Sequence, residues 1–197
     1  MSVVFITGGV RSGKSEFAEQ WISARQESRV RTGASREKQP AAPDASVLYI
    51  ATSIAADEEM ARRIAEHRLR RPASWQTCEC PYALPDMAAL SGHSFVLLEC
   101  LSGWVSNRLI QAEQSGAAGL KRARSAVLDE WAKWLAAGKA ASAQIAIVSN
   151  EVGLGGVALY PLGRAFQDCL GEANKLAAAA ADEVYAVISG IPWRLKG

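Results

Sequence analysis

The stretch GGVRSGKS at residues 8–15 decides the fold, because it follows a short apolar run and precedes a helical pattern. It matches G-x-x-x-x-G-K-[ST], the phosphate-binding loop that joins a buried strand to a helix. Its glycines let backbone N–H groups turn towards phosphate oxygens, and the helix N-terminus adds its positive end. In such a loop Lys14 reaches the β- and γ-phosphates and the Ser15 hydroxyl holds Mg²⁺. We expect a nucleotide site here; a glycine-rich turn with an incidental lysine is the alternative.

Outside this loop, strand-like apolar runs alternate with helical patterns. The strands are predicted at residues 3–6, 47–51, 95–99, 144–148 and, as the last one, 184–188. The helices are predicted at residues 14–24, 57–71, 104–111, 120–137 and 166–181. Continuous apolar strands between helices are typical of a parallel sheet covered on both faces. The sequence therefore predicts an α/β fold with residues 1–197 as a single nucleotide-binding domain.

One segment departs from this alternation. Residues 25–46 are rich in Arg, Ser, Gln, Pro and Ala and contain almost no large apolar side chain. Such a composition is typical of a surface loop, and a loop of this length is uncommon inside a compact domain. We therefore predict a flexible insertion here.

Composition and charge exclude several classes of protein. The chain has 197 residues, of which 49% are hydrophobic and 21% charged, so a packed core is expected. A net charge of +2 lacks the basic excess of a nucleic-acid binder. No apolar run approaches the ~18 residues of a membrane span. The N-terminus lacks a signal-peptide pattern and the 4 cysteines are too few for a disulfide scaffold, so we expect a cytoplasmic protein with reduced thiols.

Glu99 is the best candidate for a carboxylate that orients Mg²⁺. It ends the apolar run at residues 95–99, and parallel strands bring their carboxyl ends to the ligand crevice. P-loop enzymes commonly hold the metal with such a carboxylate. An acid at a strand end without a task is the alternative.

His67 lies on a basic helical stripe. Arg63, His67 and Arg71 are spaced four residues apart and so share one helix face. Such a field favours the neutral imidazole, which can attack phosphorus, and guanidinium groups can hold phosphate oxygens. From this pattern alone a solvated helix face is the favoured interpretation. His93 lies in a predicted turn and is assigned no role.

The chain resembles the bifunctional adenosylcobinamide kinase / adenosylcobinamide-phosphate guanylyltransferase family of cobalamin biosynthesis. The histidine-containing segment makes the resemblance specific, and it covers nearly the whole chain outside residues 25–46. The segments that carry it are ITGGVRSGKSEFAE (6–19), YIATS (49–53), DEEMARRIAEHRLRRPASWQTCECP (57–81), LLECLSGWVSN (97–107), SNEVGLGGV (149–157) and residues 161–197.

The resemblance implies two reactions and their substrates. First, the hydroxyl of adenosylcobinamide takes the γ-phosphoryl group of ATP or GTP. Then a histidine attacks GTP, releases pyrophosphate and passes GMP to adenosylcobinamide phosphate, which gives adenosylcobinamide-GDP. The resemblance also implies a RecA-like P-loop fold and a homotrimer, with Mg²⁺ as cofactor. The balanced charge predicts that no nucleic acid is a partner.

The resemblance implies site residues as well. His67 is the residue that becomes guanylylated, which reverses the interpretation from the pattern alone. Ser15 and Glu99 are the metal-binding positions, although the family usually has aspartate where this chain has Glu99. The nucleotide-binding positions are Gly8, Gly9, Val10, Arg11, Ser12, Gly13, Lys14, Ser15, Ala51, Thr52, Ser53, Arg68, Leu69, Arg70, Arg71, Glu79 and Glu99.

Two other functions remain open at this stage. A small-molecule kinase would need the phosphate loop but not the histidine stripe. A nucleotide-dependent switch would bind the triphosphate and turn it over slowly. A GMP adduct on the protein separates both from the bifunctional enzyme.

Overall fold

A computed structural model describes residues 2–33, 46–90 and 92–197. Its seven strands are β1 (Val3–Gly8), β2 (Val47–Ala51), β3 (Gln76–Glu79), β4 (Phe95–Glu99), β5 (Gln144–Asn150), β6 (Glu183–Ile188) and β7 (Ile191–Lys196). Its six helices are α1 (Lys14–Gly33), α2 (Glu58–Arg70), α3 (Met87–Leu90), α4 (Leu101–Glu113), α5 (Gly116–Ala140) and α6 (Pro161–Ala180).

All seven strands form one sheet in the order β3-β2-β4-β5-β1-β6-β7. Every neighbouring pair is parallel except β6 and β7, which form an antiparallel hairpin. The carboxyl ends of the six parallel strands therefore meet at one edge of the sheet. The strand β5 lies between β1, which enters the phosphate loop, and β4, which ends at Glu99. The predicted α/β class with a mostly parallel sheet is confirmed.

Helices cover both faces of the sheet. Side chains of α4, α5 and α6 form the larger core with one face, around the fully buried Trp104 and Trp131. On the other face Trp21 and Ile22 of α1 pack against β1, β2 and β4. Both sides of the central strands are thus removed from water, which explains why their sequences are continuous apolar runs.

The predicted loop over residues 25–46 is wrong for residues 25–33, which continue α1 to Gly33. Arg, Gln and Glu favour helices, and a helical extension exposed to water needs no apolar face. The Arg25 guanidinium lies 3.5 Å from the centroid of the Trp21 ring and donates a 2.9 Å hydrogen bond to Glu183 Oε1. The rest of that prediction, residues 34–45, lies outside the described residues.

The run at residues 184–188 is not the last strand, because β7 follows it. Both β7 and β3, the two edge strands, were absent from the sequence prediction. The strand β3 is only four residues long and has no buried side chain. In β7 the apolar Ile191, Trp193 and Leu195 do alternate with other residues, but a proline within a run argues against a strand unless that strand lies at an edge, where some N–H positions need no partner. Within the described parts of the chain, no helix is long and apolar enough to cross a membrane.

Candidate functional site

The phosphate loop has the strand–loop–helix context that the sequence predicted. It leaves β1 at Gly8 and enters α1 at Lys14. Gly13 has φ +90°, in the region that glycine adopts without strain, and the Phe17 N–H donates to its carbonyl at 2.9 Å. The Lys14 ammonium group is nearly buried and donates to the Gly9 carbonyl at 3.1 Å. The Lys14 side chain therefore folds back onto the loop and closes it through the hydrogen bond to Gly9.

Glu99 and Ser15 meet at the carboxyl edge of the sheet. The Ser15 hydroxyl donates a 2.7 Å hydrogen bond to Glu99 Oε1, while Glu99 Oε2 is buried without a hydrogen-bond partner. Burial raises the pKa of Glu99 to about 7, against the lowering effects of the Ser15 hydrogen bond and the Lys14 charge. Because Mg²⁺ is commonly bound through one or two carboxylates and substrate phosphates, this pair fits such an ion. The described residues contain no cluster of three or more His, Cys, Asp or Glu side chains able to hold a metal by themselves.

A cleft of about 1180 Å³ opens above this edge of the sheet. It brings together fifteen of the predicted site residues from five separate segments. These are Val10, Arg11, Ser12, Gly13, Lys14, Ser15, Ala51, Ser53, His67, Arg68, Leu69, Arg70, Arg71, Glu79 and Glu99.

Three of the predicted nucleotide-binding residues do not line this cleft. Gly8 is the last residue of β1, and Gly9 contributes the carbonyl that accepts from Lys14. Thr52 is fully buried, and its hydroxyl donates to the Cys100 carbonyl at 2.7 Å and accepts from the Cys100 N–H at 2.9 Å. In this structure Thr52 therefore fixes the chain that follows Glu99.

The helix α2 forms one side of the cleft and carries His67. Asp57 caps its first turn by accepting the Met60 N–H at 2.7 Å. Near its C-terminus Arg68 pairs with Glu79, and the Arg71 guanidinium lies 3.4 Å from the centroid of the Tyr49 ring. These contacts attach the end of the helix to β2 and β3.

His67 is a half-buried imidazole in a basic field. The guanidinium of Arg70 lies 3.2 Å from His67 Nδ1 and also pairs with Glu19 at 3.5 Å. Desolvation first, and then the charges of Arg70 and Arg71, lower the pKa of His67 to about 4. A protonated ring has no free lone pair, so this environment keeps the imidazole in its nucleophilic form at neutral pH.

Tyr49 and Asn150 are among the cleft residues that the sequence analysis did not assign to the site. Tyr49 lies inside a predicted strand, where an aromatic residue indicates core. Asn150 follows the apolar run of β5 as Glu99 follows that of β4, so the same strand-end argument could have found it. The sulfurs of Cys78 and Cys80 lie 3.0 Å apart.

A phosphate loop between a buried parallel strand and a helix, with a hydroxyl and a carboxylate beside it, defines a P-loop nucleotide-binding protein of the α/β class. Residues 4–195 match the family described as cobinamide kinase / cobinamide phosphate guanyltransferase. The chain belongs to this family, which confirms the predicted resemblance and the predicted bifunctional transferase class.

Three curated relatives are similar to this chain over nearly their full lengths. A protein of Salmonella typhimurium named bifunctional adenosylcobalamin biosynthesis protein CobU is 39% identical, over 98% of this chain and 99% of the relative. A protein of the same name from Escherichia coli is 35% identical, over 98% of this chain and 99% of the relative. The bifunctional adenosylcobalamin biosynthesis protein CobP of Pseudomonas aeruginosa is 35% identical, over 98% of this chain and 96% of the relative.

Proposed function

We propose that this chain phosphorylates adenosylcobinamide with ATP or GTP and then transfers GMP from GTP to adenosylcobinamide phosphate through a covalent intermediate on His67. The product is adenosylcobinamide-GDP. One observation carries the histidine assignment: His67 and the phosphate loop line the same cleft. A single bound triphosphate can therefore contact both.

The phosphate loop supplies the triphosphate site. Its backbone N–H groups and the N-terminus of α1 bind the phosphates, and Lys14 leaves the Gly9 carbonyl to reach them. Arginine side chains on α2 add guanidinium groups, which suit phosphate oxygens. The site residues predicted above are proposed in these roles.

Ser15 and Glu99 would hold Mg²⁺, which neutralises charge on the phosphate oxygens when it is bound. The unpaired Glu99 Oε2 is the structural observation that supports this role. In the kinase step the hydroxyl oxygen of adenosylcobinamide bonds to the γ-phosphorus and the bond to the β,γ-bridging oxygen breaks. The nucleoside diphosphate leaves and the hydroxyl proton passes to water.

In the guanylyl step a nitrogen of His67 bonds to the α-phosphorus of GTP, and pyrophosphate leaves with the α,β-bridging oxygen. The ring releases its other N–H proton to water. A phosphate oxygen of adenosylcobinamide phosphate then attacks the same phosphorus, the P–N bond breaks and the ring takes a proton back. Arg70 and Arg71 stabilise the negative charge that develops during both transfers.

The experiment that tests this proposal compares His67→Ala with His93→Ala. His67→Ala should abolish the GMP adduct formed from α-labelled GTP and leave phosphorylation of adenosylcobinamide by ATP within about threefold of wild type. His93 does not line the cleft, so His93→Ala should keep both activities. An undiminished adduct on His67→Ala contradicts the assignment, and a wild-type protein without any adduct favours a simple kinase.

Three further proposals rest on the family likeness alone and not on the geometry of the site. These are assembly as a homotrimer, a cytoplasmic location and a single nucleotide-binding domain over residues 1–197. Sedimentation of the purified chain measures the first directly.

A further inference from the structure

Asn150 stands at the centre of the sheet edge that carries the phosphate loop. It ends β5, between β1 and β4, and lies opposite Gly8 in the β1–β5 register. In the β4–β5 register Glu99 lies opposite Val148, so Asn150 extends two residues beyond the level of Glu99. Among the described residues that line the cleft, it is the only one that follows Cys100 in the chain.

Hydrogen bonds fix this side chain and the strand end beneath it. Asn150 Nδ2 donates to the Ser102 hydroxyl at 2.9 Å, and the Asn150 carbonyl accepts from Asn174 Nδ2 at 3.0 Å. The buried Asn174 also accepts from the Ser149 hydroxyl at 2.7 Å, and the next residue, Glu151, donates its N–H to the Gly8 carbonyl at 3.0 Å. An amide held in this way needs no reorganisation when a substrate arrives.

We propose that the Asn150 amide binds the γ-phosphoryl group during the kinase step, an inference that rests on the function proposed above. An Asn side chain has two N–H donors, and Ser102 uses one of them. The other is available to a phosphate oxygen between the phosphate loop and the Ser15–Glu99 pair. His67 lies on α2 and Asn150 at the end of β5. In this proposal α2 therefore supplies the group that acts on the α-phosphorus, and β5 supplies the group that binds at the γ-phosphorus.

This placement makes the role specific to one of the two reactions. In the kinase step charge develops on the transferring γ-phosphoryl group, so a fixed donor there stabilises the transition state more than the ground state. In the guanylyl step charge develops on the α,β-bridging oxygen, further from Asn150. Loss of the amide should therefore reduce phosphorylation much more than guanylylation.

The test measures both half-reactions on Asn150→Ala. We expect its kcat for phosphorylation of adenosylcobinamide by ATP to fall on the order of 100-fold, the usual cost of removing one preorganised donor. The KM for ATP and the rate of GMP-adduct formation should stay within about threefold of wild type, because ground-state binding is retained. Asn150→Ser keeps a hydroxyl donor and should recover part of the lost kcat.

Two further variants separate this role from a structural one. Ser102→Ala frees the amide without removing it and should lower kcat less than Asn150→Ala does. Gln144→Ala changes the opposite end of β5 and should leave kcat unchanged. An Asn150→Ala protein with unchanged kcat overturns the inference alone, as does an equal loss of both half-reactions. A wild-type protein lacking both half-reactions overturns the proposed function instead.

Discussion

At the scale of single residues, the site depends on groups whose charge the protein has altered. Glu99 is partly buried at the floor of the cleft, and desolvation is the main cause that raises its pKa, whereas the pKa of His67 is lowered by desolvation and by neighbouring arginines. The two shifts favour the neutral forms of a carboxylic acid and of an imidazole. In the function proposed above, a bound cation would favour the ionised form of Glu99, and the neutral imidazole of His67 would be the nucleophile.

The lowered pKa of His67 predicts a flat pH profile for adduct formation. With a pKa of about 4 the ring stays neutral from pH 7.5 down to pH 5.5, whereas an ordinary histidine would be about 90% protonated at pH 5.5. At GTP concentrations well below KM the rate reports the free enzyme. Under these conditions, and at saturating Mg²⁺ so that Glu99 stays ionised, the initial rate of label incorporation should therefore vary less than about threefold across this range. Arg70→Gln removes one cause of the shift, so its rate should fall towards pH 5.5. A tenfold fall in the wild-type rate would contradict the shift.

At the scale of elements, the β6–β7 hairpin supports the phosphate loop. Gly190, in the turn of this hairpin, donates its N–H to the Ser12 carbonyl at 2.8 Å. A Cβ on Gly13 would lie 3.2 Å from Gly190 Cα. The hairpin that the sequence failed to predict is thus a part of the wall behind the nucleotide site.

Gly13→Ala should weaken nucleotide binding through this contact. The alanine would adopt a strained φ of +90° and press on Gly190, at a cost of about 1–3 kcal/mol. We expect the Kd for GTP to rise by about tenfold or more, as measured by calorimetry. Gly171→Ala is the matched control, because a Cβ there meets nothing within 4 Å, and its Kd should not change. Equal affinities for the two variants would show that the loop has room to adjust.

Elements with two buried faces could be predicted from the sequence, and those at the edges could not. The strands β2 and β4 have the predicted bounds. Their side chains are buried on both faces of the sheet, so each strand is a continuous apolar run whose ends are visible in the sequence. The edge strands β3 and β7 were missed because β3 is short and exposed, and because β7 contains Pro192, which argues against a strand anywhere but at an edge. The phosphate loop is a local motif, so its place between a strand and a helix could be predicted. The position of Asn150 depends on β5 pairing between β1 and β4, which is a property of the assembled sheet.

At the scale of the whole molecule, the site joins a firmly packed frame to a lightly packed helix. Glu99 and Asn150 end strands β4 and β5, and the phosphate loop follows β1. These three strands pack against the core that contains Trp104 and Trp131. The helix α2, by contrast, has no buried residue among those described in it. Its attachments include the exposed pair of Arg68 with Glu79, the pair of Arg70 with the nearly buried Glu19, and the contact of Arg71 with Tyr49. An exposed ion pair such as that of Arg68 contributes about 1 kcal/mol or less.

This difference predicts how amide hydrogen exchange responds to nucleotide. In the free protein, amides of α2 should exchange far faster than those of β4 and β5, because local opening costs little where few apolar contacts are lost. In the proposed site, bound GTP would contact His67, Arg70 and Arg71, so exchange in α2 should slow by about tenfold or more. The strands should not change. His67→Ala is the control, since it retains non-covalent binding and should show most of the same protection. Exchange in α2 that is already as slow as in β5 before GTP is added would contradict the lightly packed helix.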